Sequence, residues 1–548
     1  MLACLIGVGL VLVGRLMSLQ ITDRDFLNAQ GNARLLRTLT IPAHRGLLLD
    51  RNGQPLAVSA PVQSVWINPR QIDGARAQWP ALMALFDKHA SDLETLLVDR
   101  RQREFVYLKR HIEPGLAAQV AALNLPGVYQ QSEYRRYYPA AEATAHALGF
   151  TNLDDAGQEG LELLLNPRLA GIAGSRRIVQ DAQGRPISLV AEIQTARAGA
   201  DIRLSLDQRL SVLAYNSLHQ AVQAHQAVAG SAVVLDAHSG EVLAMVSQPG
   251  YNPNNRDDRN SAHYRNRVVT DVFEPGSTFK PFTIAAALKS GQFSPTSLID
   301  TGTGQLKLGQ FEIKDARAYG RIDLNTIIQK SSNVGAAKLA LKLAPEQHWD
   351  LLYLAGFGNH TGSGFPGEVS GHLPYFSDWR SVHQASLGFG YGLNVSLLQL
   401  ARGYTLFAND GILPPLRFET INCLEGNCPG KVAVGLRVIS PAQAQAILRM
   451  LESVVLPGGT GREAAVPGYR VGGKTGTVRK AAQGSYAANS YLSLFVGIAP
   501  LSAPRLVIAV MIDEPSGAQY YGGQVAAPVF ADIAAGALRL LNIAPDAL

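Results

Sequence analysis

The sequence predicts an α+β protein in three parts: an apolar N-terminal helix, a mixed α/β region, and an antiparallel sheet with helices packed on it. Three observations carry that prediction. The first 14 residues, MLACLIGVGLVLVG, hold no charged side chain. Short strand-like runs separated by turn residues fill the chain up to about residue 200. Beyond Ser231 come a strand–turn–strand pattern, a long helical middle and two continuous apolar runs. A chain of 548 residues is also too long for one ordinary domain.

The N-terminal segment, residues 1–21, is MLACLIGVGLVLVGRLMSLQI. About 20 apolar residues suffice to span a bilayer, and Arg15 can reach the interface by extending along its stem. No small-x-small cleavage pattern follows, so a retained transmembrane anchor is expected. No basic residue precedes the run, and a start further upstream is compatible with that.

Residues 22–200 form the second expected domain. RGLLLDRNGQPLAVS, Arg45 to Ser59, reads as a hairpin closed by Asn-Gly, and RIVQDAQGRPISLV, Arg177 to Val190, has the same form. GQEGLELLLN, Gly157 to Asn166, reads as a helix between them. Nothing in this stretch pairs catalytic groups, so it is expected to be a non-catalytic pedestal.

Residues 201–548 form the third. SAVVLDAHSGEVLAMVS (Ser231 to Ser247) is strand, polar turn, strand, and Thr278 to Ser290 is apolar at helical spacing. YLSLFVGIAP and RLVIAVMID, separated by LSAP, each have the length of a strand buried on both faces.

Composition narrows the function classes. Hydrophobic residues make up 47% and charged residues 17%, which fits sizeable cores and excludes a disordered chain. The net charge of +6 comes without a dense Lys/Arg cluster, so nucleic acid is not an expected partner, whereas an anionic membrane or wall surface is compatible. Of three cysteines, Cys423 and Cys428 bracket the polar LEGN and would either form a small disulfide in an oxidising compartment or stay as two thiols. No second cysteine pair or neighbouring histidines complete a zinc site, and neither metal nor cofactor is expected.

Chemistry-bearing residues cluster in three places. EPGSTFKP, Glu274 to Pro281, puts Ser277 and Lys280 three apart, on one face of a helix starting there. A lysine that has lost its charge can take the proton of such a hydroxyl. S-x-x-K alone is short enough to occur by chance and decides nothing. KSSNVG adds Ser331, Ser332 and Asn333, and GGKTGTVRK adds Lys474, Thr475, Gly476 and Thr477. S-x-x-K, S-x-N and K-T-G in this order are the pattern of serine acyl-transfer enzymes acting on penicillin-like or D-Ala-D-Ala substrates.

One competitor is GYRVGGKT, Gly468 to Thr475, which fits the phosphate-loop pattern letter for letter. A phosphate loop needs a strand before it and a helix behind it. Here a short charged segment precedes it and GTVRKAAQGS, with no apolar helical face, follows. A strand carrying Lys474 and Thr477 on a sheet edge fits better.

Taken together, these residues resemble the class B penicillin-binding proteins over nearly the whole chain. RGLLLDRNG, RYYP (Arg136 to Pro139) and GQEGLE resemble the three markers of that family's pedestal domain. EPGSTFKP, KSSN, GFGYGLNVSLLQLA and KTGT resemble its transpeptidase domain. YYGGQVAAPVF, Tyr520 to Phe530, is more similar to the division-type branch, penicillin-binding protein 3, than to the elongation branch.

The resemblance implies a D,D-transpeptidase that cross-links peptidoglycan stem peptides at the septum through a serine acyl-enzyme, releases D-alanine and is acylated by β-lactams. Ser277 would be the nucleophile and Lys280 its base, with the lysine pKa brought from about 10.4 toward 7, roughly 4 kcal/mol of differential interaction. Ser331 would relay protons, and Asn333 would orient Lys280 and the substrate amide. Lys474, Thr475 and Thr477, spaced by Gly476, would hold the terminal carboxylate, with Arg479 adding affinity. Tyr491, Tyr520 and Tyr521 would make an aromatic wall. The backbone amides of Ser277 and Thr477 would form the oxyanion hole.

The same resemblance implies single-pass attachment to the bacterial inner membrane, a periplasmic catalytic domain, and partners in the division machinery, including a lipid-linked glycan polymerase. Alternatives are an elongation-type transpeptidase and a non-catalytic β-lactam sensor or scaffold.

Overall fold

A computed structural model of the chain describes residues 2–27, 36–180, 186–255, 261–420, 435–482 and 485–547. Cys423 and Cys428 lie outside the described residues. The chain divides into two compact units that alternate along the sequence. One comprises Met1–Gly46, Ser59–Arg135 and Pro167–Ala200, the other Leu47–Val58, Arg136–Asn166 and Asp201–Leu548.

The larger unit is built on five strands: β1 (Ala229–Asp236), β2 (Val242–Gln248), β3 (Gly472–Ala482), β4 (Ser485–Ala499) and β5 (Leu506–Asp513). Their order is β2-β1-β5-β4-β3, every neighbour antiparallel, so β3 is an edge strand. Every residue of β1, β2 and β5 is buried. That explains the uninterrupted apolar runs: helices cover both faces, so neither face needs polar residues.

Among the helices are α1 (Gln208–Ala224), α2 (Lys280–Lys289), α3 (Leu324–Lys330), α4 (Asn333–Leu341), α5 (Leu397–Ala408), α6 (Pro441–Val455) and α7 (Gly522–Leu540). Leu210 and Leu218 of α1 and Phe530 and Ile533 of α7 pack with Val234, Ile508 and Val510 in one core. Val233, Ala509 and Met511 alternate with these and face the other way. α5 lies against β1 and β5, and α6 against β3.

Within this unit Leu48 and Leu49 pair antiparallel with Ala57 and Pro55, the hairpin expected from Asn-Gly. Arg136 donates through Nε to Glu162 Oε1 at 2.7 Å, and neither side chain touches solvent. Two sequence markers 26 residues apart thus meet as one buried ion pair.

In the smaller unit the strands Gly174–Gln180 and Pro186–Gln194 form the second expected hairpin. Its core gathers Val65, Ile67, Ile72, Trp79, Leu93 and Leu97. The helix Leu2–Met17 runs on through Ser18–Thr22. Its span Cys4–Thr22 has a mean hydropathy of 1.9 and holds no buried residue; among the described residues it alone is long and apolar enough to cross a membrane.

Candidate active site

The Pro-Gly break before Ser277 has a geometric cause. Gly276 sits at φ +53, and its N–H donates to Gly390 O at 2.9 Å. The chain then makes a 3-10 turn, Gly276–Phe279, and enters α2 at Lys280. In a 3-10 turn residues i and i+3 eclipse, so Ser277 and Lys280 lie on one side. Lys280 is fully buried, as is most of α2.

The second motif turns on a strained residue. Ser331 ends α3 in the left-handed region (φ 59, ψ 40), uncommon for a residue with a Cβ and concentrated at functional sites. The kink lets Ser332 cap α4, its hydroxyl accepting the Gly335 N–H at 2.8 Å. Ser331 and Asn333 are left flanking the cap with their side chains toward Lys280.

The amines then converge. Lys280 Nζ donates to Asn333 Oδ1 at 2.7 Å, to Ser331 O at 2.5 Å and to Ser331 Oγ at 3.1 Å. Lys474 Nζ, arriving from β3, donates to the same Ser331 Oγ at 3.0 Å. One hydroxyl therefore joins two lysines from elements nearly 200 residues apart. Both amines are buried. Burial pushes Lys280 well below the ordinary lysine range, and the Lys474 cation adds to that, while Asp315 opposes it. Burial alone lowers Lys474 to about 7.

These groups border a cavity of about 510 Å³ whose wall includes Ser277, Ser331, Asn333, Thr475, Thr477 and Tyr521. Lys280 and Lys474 lie beneath that wall. Thr475 Oγ1 is 2.9 Å from Thr460 Oγ1, and Thr477 Oγ1 accepts the Gly522 N–H at 2.9 Å. The start of α7 fits against Gly476 so closely that a Cβ on Gly522 would lie 2.2 Å from Gly476 O. Tyr491, Tyr520 and Tyr521 stack in series with ring centroids 4.4 Å apart at each step, and Arg479 lies 5.8 Å over Tyr491. Of these four, Tyr521 lines the cavity.

Two residues escaped sequence reasoning. Asp315 accepts from Ser332 Oγ at 2.6 Å and from the N–H groups of Asn333 and Val334, clamping the start of α4. Thr460 orients Thr475. Neither belongs to a motif, and each becomes visible only when distant segments are brought together. The phosphate-loop reading fails on geometry: Lys474 pairs with Val496 inside an antiparallel ladder, and the segment after Thr475 continues as a strand.

The chain matches the penicillin binding protein transpeptidase domain over residues 230–535 and the penicillin-binding protein dimerisation domain over residues 40–204. It is 43% identical to a probable peptidoglycan D,D-transpeptidase, PbpC, of Pseudomonas aeruginosa, over 98% of this chain and 94% of that one. It is 40% identical to the peptidoglycan D,D-transpeptidase FtsI of Escherichia coli K12, over 98% and 90%. The chain is a class B penicillin-binding protein.

Solved penicillin-binding proteins share the fold. Penicillin-binding protein 3 of Mycobacterium tuberculosis, crystallised with aztreonam, superposes with a TM-score of 0.71 at 28% identity, covering 93% of this chain and 98% of that one. The transpeptidase domain of Burkholderia pseudomallei penicillin-binding protein 3 gives 0.57 at 43% identity, covering 63% and 98%. The family's dimerisation region ends at residue 204 and its transpeptidase region begins at residue 230. Compactness divides this penicillin-binding protein differently, grouping Leu47–Val58 and Arg136–Asn166 with the sheet-bearing unit.

Proposed function

We propose that the protein is a peptidoglycan D,D-transpeptidase of the division type, held in the cytoplasmic membrane by the Cys4–Thr22 span with its catalytic unit in the periplasm. The observation that carries the chemistry is the shared Ser331 hydroxyl between the Lys280 and Lys474 amines, beside the cavity that Ser277 lines. The relatives named as D,D-transpeptidases support the substrate, and the YYGGQVAAPVF segment supports septal duty.

Ser277 Oγ attacks the carbonyl joining the two terminal D-alanines of a stem peptide, and its proton passes to neutral Lys280. The collapsing intermediate breaks the C–N bond. Ser331 returns the proton to the departing amine, so D-alanine leaves and an acyl-Ser277 ester remains. Lys474, Thr475 and Thr477 hold the terminal carboxylate, and Asn333 fixes Lys280 and the substrate amide. An amine of a second stem then attacks the ester, forming the cross-link and releasing Ser277. A β-lactam follows the first half of this path and stops at the acyl-enzyme. Partners in this reading are division-machinery proteins, including a lipid-linked glycan polymerase.

Intact-protein mass spectrometry after exposure to a penicillin tests it. The expected result is one covalent adduct on Ser277, absent from Ser277→Ala, together with turnover of a D-Ala-D-Ala-type thioester. Folded protein that takes no adduct would overturn the mechanism, and an adduct without thioester turnover would point to a sensor.

A further inference from the structure

A second cavity, of about 510 Å³, lies in the sheet-bearing unit and shares no lining residue with the catalytic one. Its volume is that of a small-molecule site. GQEGLE supplies part of the wall: Gln158, Glu159 and Gly160 line it together with His146, Tyr251 and Tyr264. Glu162 of the same stretch is spent on Arg136, whereas Glu159 has no part in that pair.

The backbone that carries Glu159 is fixed. A Cβ on Gly149 would lie 2.0 Å from Glu159 O, and one on Gly160 2.7 Å from Gly149 N, so the two segments touch main chain to main chain. The Gln158 N–H donates to Phe150 O at 2.9 Å, and the Leu163 N–H to Glu159 O at 3.1 Å.

Most polar groups on the wall are already committed. Asn266 donates its side-chain amide to His146 O at 2.8 Å and accepts the Val268 N–H at 3.2 Å. Thr270 Oγ1 donates to Asn266 O at 2.9 Å, and Gln158 Nε2 donates to Gly157 O at 3.1 Å. Arg265 Nε lies 2.7 Å from Asp271 Oδ1, so its charge is matched.

What remains is a set of acceptors. Among the described residues Glu159 makes no ion pair or side-chain hydrogen bond, and Gln158 Oε1 accepts none. His146 is buried, and its Nε2 lies 2.9 Å from His263 O. A carbonyl only accepts, so Nε2 carries the proton and Nδ1 is left as an acceptor without a partner among the described residues. Burial pushes His146 down to about 4, which keeps the ring neutral. The protein around the Glu159 carboxyl raises its pKa, and no neighbouring cation offsets that.

We propose that this cavity binds a primary ammonium group carried on an alkyl chain. An ammonium has three N–H donors and no acceptor, which fits the Glu159 carboxylate, Gln158 Oε1 and His146 Nδ1. Tyr251, Tyr264 and Phe365 supply an apolar wall for the chain and ring faces that attract a cation. Tyr251 and Tyr264 pack edge to face with centroids 4.8 Å apart. Ser261, also on the wall, can turn its hydroxyl either way. The site stands apart from the transpeptidase reading, and its ligand does not depend on whether Ser277 acylates.

Saturation-transfer NMR on the full chain in detergent micelles tests it, with cadaverine as the ammonium probe and pentanediol as its uncharged counterpart. Cadaverine should bind saturably and more tightly than the diol. Glu159→Gln should weaken cadaverine by about tenfold, the size of a charge-assisted hydrogen bond, and leave the diol unchanged. Leu163→Trp, which enlarges a side chain on the wall, should weaken both. Capped lysine, Nα-acetyl-lysine methylamide, distinguishes the source: tighter binding than cadaverine assigns the ammonium to a peptide side chain, weaker binding to a free amine. Cadaverine that fails to saturate, binds no better than the diol, or keeps its affinity in both variants overturns the site.

Discussion

In the proposed mechanism the two lysines that share a hydroxyl have opposite tasks, and burial serves them unequally. Lys280 must be uncharged to accept the Ser277 proton, and its folded pKa lies well below the ordinary value. Lys474 must be charged to hold a carboxylate, and its value of about 7 places the loss of that charge near neutrality. Second-order acylation by a carboxylate-bearing β-lactam should therefore fall on the alkaline side as Lys474 deprotonates, and on the acid side as Lys280 protonates, with the two limbs belonging to the coupled pair. A stopped-flow profile that stays flat through neutral pH contradicts this assignment. Both lysines also cost stability. A base whose pKa is depressed on folding binds fewer protons folded than unfolded, so its burden eases only as pH rises toward the unfolded value. Lys280→Met should accordingly lower acylation by about 10²–10⁴-fold without lowering the melting temperature; near-normal acylation would remove Lys280 from the base role. These residues were readable from sequence because the S-x-x-K, S-x-N and K-T-G spacings encode local geometry: a 3-10 turn, a helix cap and a strand. The convergence of the three was not, since no local pattern states which sheet edge faces which helix start.

At the scale of elements, strands and hairpins were legible and their supports were not. The continuous apolar runs of β4 and β5 announced strands buried on both faces, and Asn-Gly announced the first hairpin. Asp315 carried no such signal. It follows the hairpin of Gln305–Leu308 and Phe311–Lys314 and reaches across to α4, whose first N–H groups it satisfies. An anion at a helix start completes donors that have no partner within the helix. Asn333 thus depends on a residue 18 positions away for its placement. Asp315→Asn keeps the shape and removes the charge, so stability should fall by about 1–2 kcal/mol, as for loss of a cap. Acylation should fall with it, because Asn333 then holds Lys280 less firmly. Calorimetry and penicillin labelling, run on the same preparation, check both halves; a destabilised variant that acylates at the wild-type rate would confine Asp315 to a structural role. The resemblance implied an aromatic wall of Tyr491, Tyr520 and Tyr521; the three rings stack in series, and Tyr521 lines the cavity.

Over the whole molecule, Arg136–Asn166 belongs to the same compact unit as the sheet, tied there by Tyr251, whose hydroxyl donates to Ala145 O, and by Asn266, whose side-chain amide donates to His146 O. RYYP and GQEGLE read as markers of the pedestal, but their charges meet inside the segment Arg136–Asn166, which folds with the sheet-bearing unit. Two ions withdrawn from water gain little net stability from each other; removing one, however, strands the other with its desolvation penalty uncompensated. Glu162→Ala should therefore cost about 3–5 kcal/mol, seen as a lower denaturation midpoint of the full chain, whereas a surface change such as Glu346→Ala should cost under about 0.5 kcal/mol. Penicillin labelling of the fraction that remains folded should proceed at the wild-type rate, since the pair lies outside the catalytic cavity wall. The double replacement Arg136→Met with Glu162→Leu separates charge from shape: a buried pair exchanged for apolar side chains of similar volume should recover much of the loss. If the double variant is no more stable than Glu162→Ala, the cost lies in the hydrogen-bonded geometry around Arg136, and the stranded-charge account of this segment is wrong.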